Sequence, residues 1–69
     1  MKEYILNINF KNWQNQLWFI SEDSSQIEEK WKIAIKEIDL LKSSCKEPQK
    51  FQNKVIEYLK NLGFIRIQK

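Results

Sequence analysis

The order of hydrophobic patterns in this chain of 69 residues predicts an α+β fold. Apolar and polar residues alternate near both ends of the chain, as in half-buried strands, whereas the middle repeats its apolar residues with the period of two helices. The length suits one domain over residues 1–69. Together these observations predict a two-layer ββααβ arrangement, in which two antiparallel helices pack on one face of a three-stranded sheet.

The first two predicted strands form a β-hairpin. Residues 3–10 alternate, so that one face of the first strand is apolar: Tyr4, Leu6, Ile8 and Phe10. Residues 11–15 are predicted to form a polar turn that contains Trp13, and residues 16–21 a second strand that is apolar on both faces. If helices cover one sheet face only, either Leu17 and Phe19 or Trp18 and Ile20 face outward.

Two amphipathic helices follow. Ser25 and Glu28 have the capping-box spacing, which predicts a first helix over about residues 25–44. Its predicted apolar face consists of Ile27, Trp31, Ala34, Ile35, Ile38, Leu41 and Cys45. Pro48 suits the first turn of the second helix, and Gly63 suits the left-handed position after its end. The apolar face of that helix is Phe51, Val55, Tyr58, Leu59 and Leu62.

The segment from Phe64 to Gln68 alternates again and predicts a third strand. This strand can pair antiparallel beside the second strand or parallel beside the first. The first arrangement has the simpler local connection, and the second places a hairpin strand in the middle of the sheet. The sequence pattern does not decide between them.

The composition argues against an enzyme. The chain has no histidine, one cysteine and one glycine, so the commonest general base, an activated thiol and a glycine-rich phosphate loop are all missing. Cys45 is interpreted as a small core residue. The acidic residues Glu22, Asp23, Glu28 and Glu29 are interpreted as stabilising a helix start rather than holding a metal ion. We therefore expect no catalytic residue, cofactor or metal.

The cysteine content and the hydropathy pattern indicate the cellular compartment of the protein, and the charge distribution is uneven along the chain. The net charge is +3, with an acidic first part (residues 1–29, net −3) and a basic remainder (net +6). A single cysteine fits a reducing compartment, and the longest apolar run, residues 17–20, is too short to span a bilayer. We expect a cytoplasmic protein without a signal peptide or membrane segment.

Surplus apolar residues predict protein binding. Ile33 and Leu40 lie seven residues apart, opposite the core side of the first helix, and a two-layer core cannot bury both stripes. The predicted contact residues are Trp13, Trp18, Ile33, Leu40 and Phe64. A basic rim of Lys46, Lys50, Lys54 and Arg66 would favour an acidic partner. Two alternatives are that the surplus apolar residues fold back over the rim of the small core, or that homodimerisation covers an open sheet face or the Ile33 and Leu40 stripe.

Two functional hypotheses follow. The first is a small protein-binding module, typical of inhibitors encoded by phages or mobile elements, that blocks a host enzyme such as a nucleic-acid-handling or defence protein. The alternative is a nucleic-acid-binding protein that uses the lysines at positions 46, 50 and 54 together with a sheet face carrying Phe64 and Arg66. Salt dependence separates them, because phosphate-driven affinity falls steeply as salt rises.

Overall fold

The computed structural model describes residues 1–22 and 25–68 and confirms the predicted fold class. Five elements follow each other in the order ββααβ. They are β1 (Lys2–Phe10), β2 (Trp13–Ser21), α1 (Ile27–Ser44), α2 (Pro48–Asn61) and β3 (Ile65–Ile67). Neither helix, within the described residues, is long and apolar enough to cross a membrane.

The sheet has the order β1-β2-β3, and both pairings are antiparallel. The hairpin register runs without interruption from Lys2 opposite Ser21 to Phe10 opposite Trp13. The third strand is only three residues long and places Ile67 opposite Trp18 and Ile65 opposite Ile20. The open question of the third strand is thereby decided in favour of pairing beside β2, which makes β2 the central strand.

The hairpin loop is shorter than predicted. It consists of Lys11 and Asn12 alone, and Lys11 adopts a positive φ of 54° that allows the tight reversal. The prediction of a turn over residues 11–15 was wrong because the polar residues after the loop have a partner on the helix side. The Asn15 Nδ2 group donates a hydrogen bond to Oε1 of the buried Gln52 on α2, at 2.7 Å.

The two helices run in opposite directions across one sheet face. Helix α1 begins beside the start of β1, where Lys2 pairs with Glu28. Helix α2 begins at the hairpin end, where Phe51 stacks on Phe10 with ring centroids 5.3 Å apart. The short connection between the helices, residues 45–47, is typical of two antiparallel helices.

The helix boundaries follow the prediction except at the start of α1. Helix α1 begins at Ile27, and its preceding residue Gln26 makes no side-chain capping bond. The predicted capping box was therefore wrong: Ser25 is an exposed turn residue that lies one position too early.

Helix α2 ends as predicted, with Gly63 at a φ of 104°. The Gly63 and Phe64 N–H groups donate to the carbonyls of Lys60 and Leu59, which is a Schellman motif.

The core lies between the helices and the inner face of the sheet. Its buried apolar residues are Leu6, Ile8, Phe10, Leu17, Phe19, Ile27, Ala34, Ile38, Phe51, Val55, Leu59 and Phe64. Tyr4 and Trp31 close one end of this core, with ring centroids 4.7 Å apart. Ile35 was predicted on the core face but is 36% exposed, because it lies at the side of α1 rather than beneath it.

Candidate functional site

The outer face of the sheet, which the helices leave uncovered, is the most distinctive surface of the molecule. Side chains along a strand point alternately to the two faces of the sheet, so the strand residues that alternate with the buried core residues face outward. Within the three described strands, the outer positions are Glu3, Ile5, Asn7, Asn9, Gln14, Gln16, Trp18, Ile20, Ile65 and Ile67. Glu3 is the single charged residue among them.

One half of this outer face is apolar. We define the outer apolar patch as Ile5, Trp18, Ile20, Ile65 and Ile67. Trp18 lies on the central strand with Ile5 directly opposite on one side and Ile67 on the other. Ile20 lies two residues further along the same strand and faces Ile65. Ile5 is 52% exposed and Ile65 61% exposed, so the patch meets solvent on both sides of a half-buried tryptophan.

The other half of the outer face is polar and uncharged. It contains Asn7, Asn9, Gln14 and Gln16, and Gln16 Nε2 donates a hydrogen bond to Asn7 Oδ1 at 2.9 Å. Side-chain amides can both donate and accept hydrogen bonds without the desolvation cost of a full charge. The outer face therefore combines an apolar half with a neutral polar half, which is the composition of a protein interface core and its rim.

The five predicted contact residues do not form one surface. Trp18 lies in the outer apolar patch, because Trp18 and Ile20, and not Leu17 and Phe19, are the outward-facing pair of β2. Phe64 was placed wrongly on the surface, whereas Trp13 is half-buried, as Trp18 is, and its role in binding stays a prediction. Trp13 is the first residue of β2 and packs against the core, and Phe64 is fully buried at 0% exposure. Phe64 is buried because its ring packs against Tyr4 and Trp31, with ring centroids 5.3 and 5.2 Å away.

Ile33 and Leu40 are exposed as predicted, at 55% and 66%. They lie on the solvent side of α1, seven residues apart and opposite the side formed by Ile27, Ala34 and Ile38. Helix α1 covers the inner face of the sheet, so these two residues belong to a different surface from Trp18. Each is a single apolar side chain between charged neighbours, which is normal on a protein surface.

The predicted basic residues are divided between two places. Lys46, Lys50 and Lys54 line one recess together with Ser44, Cys45 and Glu47, at the junction of the two helices. Arg66 lies opposite Phe19 on β3, so it projects on the helix side of the sheet, where it stays exposed. The three lysines therefore do not surround the outer apolar patch, and their role as a basic rim stays a prediction. The expected open sheet face carrying Phe64 and Arg66 was wrong, because Phe64 is buried in the core and Arg66 projects on the helix side of the sheet.

Sequence reasoning missed Ile5, Ile65 and Ile67 as members of the exposed surface. The signal was present in the alternation of the last strand, where Phe64 and Arg66 share one face and Ile65 and Ile67 the other. The two faces could not be assigned from the pattern, because both carry apolar residues. Ile5 could have been assigned with the outward-facing Asn7 and Asn9 of its own strand.

Among the described residues, the cysteine and the acidic side chains do not group into a metal-binding site. Cys45 is a free, half-buried thiol that packs against the core, in agreement with its interpretation as a core residue. Asp23 of the acidic cluster lies outside the described residues. In the part of the chain that the structure describes, no three histidine, cysteine, aspartate or glutamate side chains are grouped so that they could hold a metal ion.

The chain was compared with protein-family models, curated proteins and solved structures, and none of the three comparisons gave a match.

Proposed function

We propose that this chain is a non-enzymatic protein-binding module whose contact surface is the outer face of the sheet. The observation that carries this proposal is the outer apolar patch, in which Ile5, Trp18 and Ile67 form one continuous cross-strand row. Scattered exposed apolar residues are ordinary, but a contiguous set bordered by polar groups is typical of an interaction site. The patch therefore matches a partner surface that is itself apolar at its centre.

Trp18 is the expected anchor of the contact. Tryptophan is among the residues that contribute most to binding energy at interfaces, especially near the centre of a desolvated patch. Trp18 occupies that position, on the middle strand with isoleucines on both flanking strands and Ile20 beside it. The neutral amides of Asn7 and Gln16 would form the rim on one side.

The test is a pull-down with tagged protein from a bacterial lysate, treated with nuclease, at about 0.15 M salt, where exposed charges are largely screened. Ile65→Lys places a charge in the apolar patch at an exposed position, whereas the matched control Gln14→Lys places the same charge on the polar half of the same face. We expect a stoichiometric partner protein with the wild type and with Gln14→Lys. We expect its loss with Ile65→Lys.

A purified partner would allow the contribution of Trp18 to be measured. A tryptophan hot spot costs about 2 kcal/mol or more when truncated, which corresponds to a dissociation constant raised about 30-fold. Trp18→Ala should show this loss, with circular dichroism confirming the fold. Equal binding by the wild type, Ile65→Lys and Trp18→Ala would refute the outer face as the contact surface.

The specific form of this proposal is an inhibitor, encoded by a phage or mobile element, that acts in the cytoplasm of its host. Its support is the combination of a small domain, a contact face on which Glu3 is the single charged strand residue, and a composition without histidine. Inhibition is tested by measuring the activity of the captured partner with and without an equimolar amount of the protein. Unchanged activity of a saturated complex would exclude inhibition while leaving the contact surface in place.

Nucleic-acid binding is a second candidate, favoured by the convergence of Lys46, Lys50 and Lys54 on one recess. Three such lysines can contact successive phosphates, although Glu47 in the same recess offsets part of their charge. The expected result is an affinity for single-stranded DNA that falls steeply between about 50 and 200 mM salt and is lost in Lys50→Glu with Lys54→Glu. Salt-independent binding, or none, would exclude this candidate.

A further inference from the structure

Strand β1 lies at the edge of the sheet and pairs only with β2 within the described residues. It is nine residues long, its register contains no bulge, and residues 4–10 contain neither a proline nor a charge. Proteins usually protect such an edge with charges, prolines, bulges or short strands, because unpaired backbone groups attract another strand. The edge of β1 has none of these protections over residues 4–10.

The register shows which backbone groups are available at this edge. The hairpin closes over two loop residues, so Phe10 and Trp13 form a hydrogen-bonded pair, and the even-numbered residues of β1 bond to β2. The N–H and C=O groups of Ile5, Asn7 and Asn9 therefore point away from β2. An added strand could form a ladder with these three residues.

The side of helix α1 that borders this edge has a regular composition. We define the edge face of α1 as Glu28, Lys32, Ile35, Asp39 and Lys42, which are spaced alternately four and three residues apart and so lie in one stripe. Glu28 pairs with Lys2 at the start of β1. Asp39 and Lys42 line a groove of about 100 Å³ together with Asn7 and Asn9 of β1. The stripe therefore lies above the free edge.

The charges of this edge face are complementary to those of the same face on a second copy of the chain. Their order is negative, positive, apolar, negative, positive. When a second copy approaches in the opposite direction, with Ile35 against Ile35, Lys32 faces Asp39 and Glu28 faces Lys42. A parallel approach would instead place like charges opposite each other. The antiparallel arrangement also sets the two helix dipoles in opposite directions, which is favourable.

We propose that two copies of this chain associate through the free edges of β1 to form one six-stranded antiparallel sheet, with the two α1 helices side by side. A two-fold axis perpendicular to the sheet keeps both helices on the same side. Paired strands lie about 4.8 Å apart and packed helices about 8–10 Å apart, so helices placed just inside each edge can meet. The two outer apolar patches then lie on one continuous face.

The charge pattern supplies the first test, by sedimentation equilibrium between about 10 µM and 1 mM at low salt. Lys32→Glu and Asp39→Lys should each raise the dimer dissociation constant about tenfold, because the two-fold axis doubles every unfavourable pair. Both substitutions together should restore dimerisation. Lys36→Glu is the matched control, since it makes the same charge change on the solvent side of α1 and should leave the dimer intact.

The strand edge supplies the second test. Asn7→Pro removes one outward N–H group without removing a bond to β2 and should abolish the dimer, whereas Asn7→Ala keeps that N–H group and should retain it. Amide exchange at Ile5, Asn7 and Asn9 should slow as protein concentration rises. Circular dichroism of each variant confirms that its fold is kept.

Three outcomes would overturn the proposal. They are a monomer at every concentration, a dimer insensitive to both Lys32→Glu and Asn7→Pro, and a dimer lost in Ile33→Asp with Leu40→Asp, which would place the interface elsewhere on α1. The dimer uses the backbone edge of β1 and the edge face of α1, whereas the partner contact uses side chains of the outer face, so the two can be tested separately. Ile65→Lys should lose the partner and keep the dimer, and Lys32→Glu should weaken the dimer and keep the partner.

Discussion

Tyr4 provides the sharpest test of the packing. Its hydroxyl oxygen is buried and has no hydrogen-bond partner within the described residues. The ring itself is well placed, with centroids 4.7 Å from Trp31 and 5.3 Å from Phe64 in an edge-to-face contact. Tyr4→Phe would remove the unpaired hydroxyl and keep the aromatic contacts. We therefore expect this substitution to stabilise the protein.

The magnitude follows from the cost of an unsatisfied buried group, which is about 1–3 kcal/mol. Allowing for the small space left by the oxygen, we expect the free energy of unfolding to rise by about 1 kcal/mol. In a domain of this size about 1 kcal/mol corresponds to roughly 4–8 °C in melting temperature. The gain is measurable because the whole domain is stable by only about 3–10 kcal/mol.

The assay is thermal and urea unfolding followed by circular dichroism. The control is Tyr58→Phe, since Tyr58 is also half-buried but its hydroxyl is not sealed from solvent in the same way. We expect that control to change stability by less than about 0.5 kcal/mol. A loss of more than about 0.5 kcal/mol in Tyr4→Phe would refute the reasoning, because it would mean that the hydroxyl forms a favourable bond in solution.

Three further predictions concern α1 and the two left-handed positions. Ile38→Asp should unfold the domain at a cost of several kcal/mol, because Ile38 is only 6% exposed and the new carboxylate would be buried without a partner. The double substitution Ile33→Asp with Leu40→Asp changes exposed positions and should keep the circular dichroism spectrum of the fold. Lys11→Gly should raise the free energy of unfolding by about 0.5–1 kcal/mol in urea titrations, since Lys11 has a φ of 54°; a decrease would mean that its contact with the Phe10 ring outweighs the strain. Gly63→Ala should cost about 1–2 kcal/mol through backbone strain alone, because no atom lies within 4 Å of an added Cβ, and an unchanged melting temperature would contradict this.

Several features of the fold could be predicted from local patterns. The period of two in residues 3–10 identified β1 and its inner face, and the apolar residues of α2, with Pro48 and Gly63 at its two ends, identified that helix. These features depend on backbone geometry and on neighbours close in sequence. The class of fold followed from their order alone, because amphipathic elements must bury their apolar sides against one another.

The start of β2 was beyond local reasoning. Residues 13–16 contain one tryptophan and three amide side chains, a composition that resembles a turn. They form a strand because Trp13 packs on the core and Asn15 bonds to Gln52, which lies 37 residues further along the chain. A partner so distant in sequence leaves no trace in local periodicity.

The candidate site depended most on tertiary structure. The sequence by itself determined that Trp18 and Ile20 share one face of β2, and that Phe64 and Arg66 share one face of β3, because side chains alternate along a strand. Only the tertiary structure decided which faces are covered. The Phe64 N–H group bonds to the Leu59 carbonyl at 2.9 Å, and the Phe64 ring packs against Tyr4 and Trp31 on the inner side of the sheet. Because side chains alternate, Ile65 and Ile67 then face outward beside Trp18.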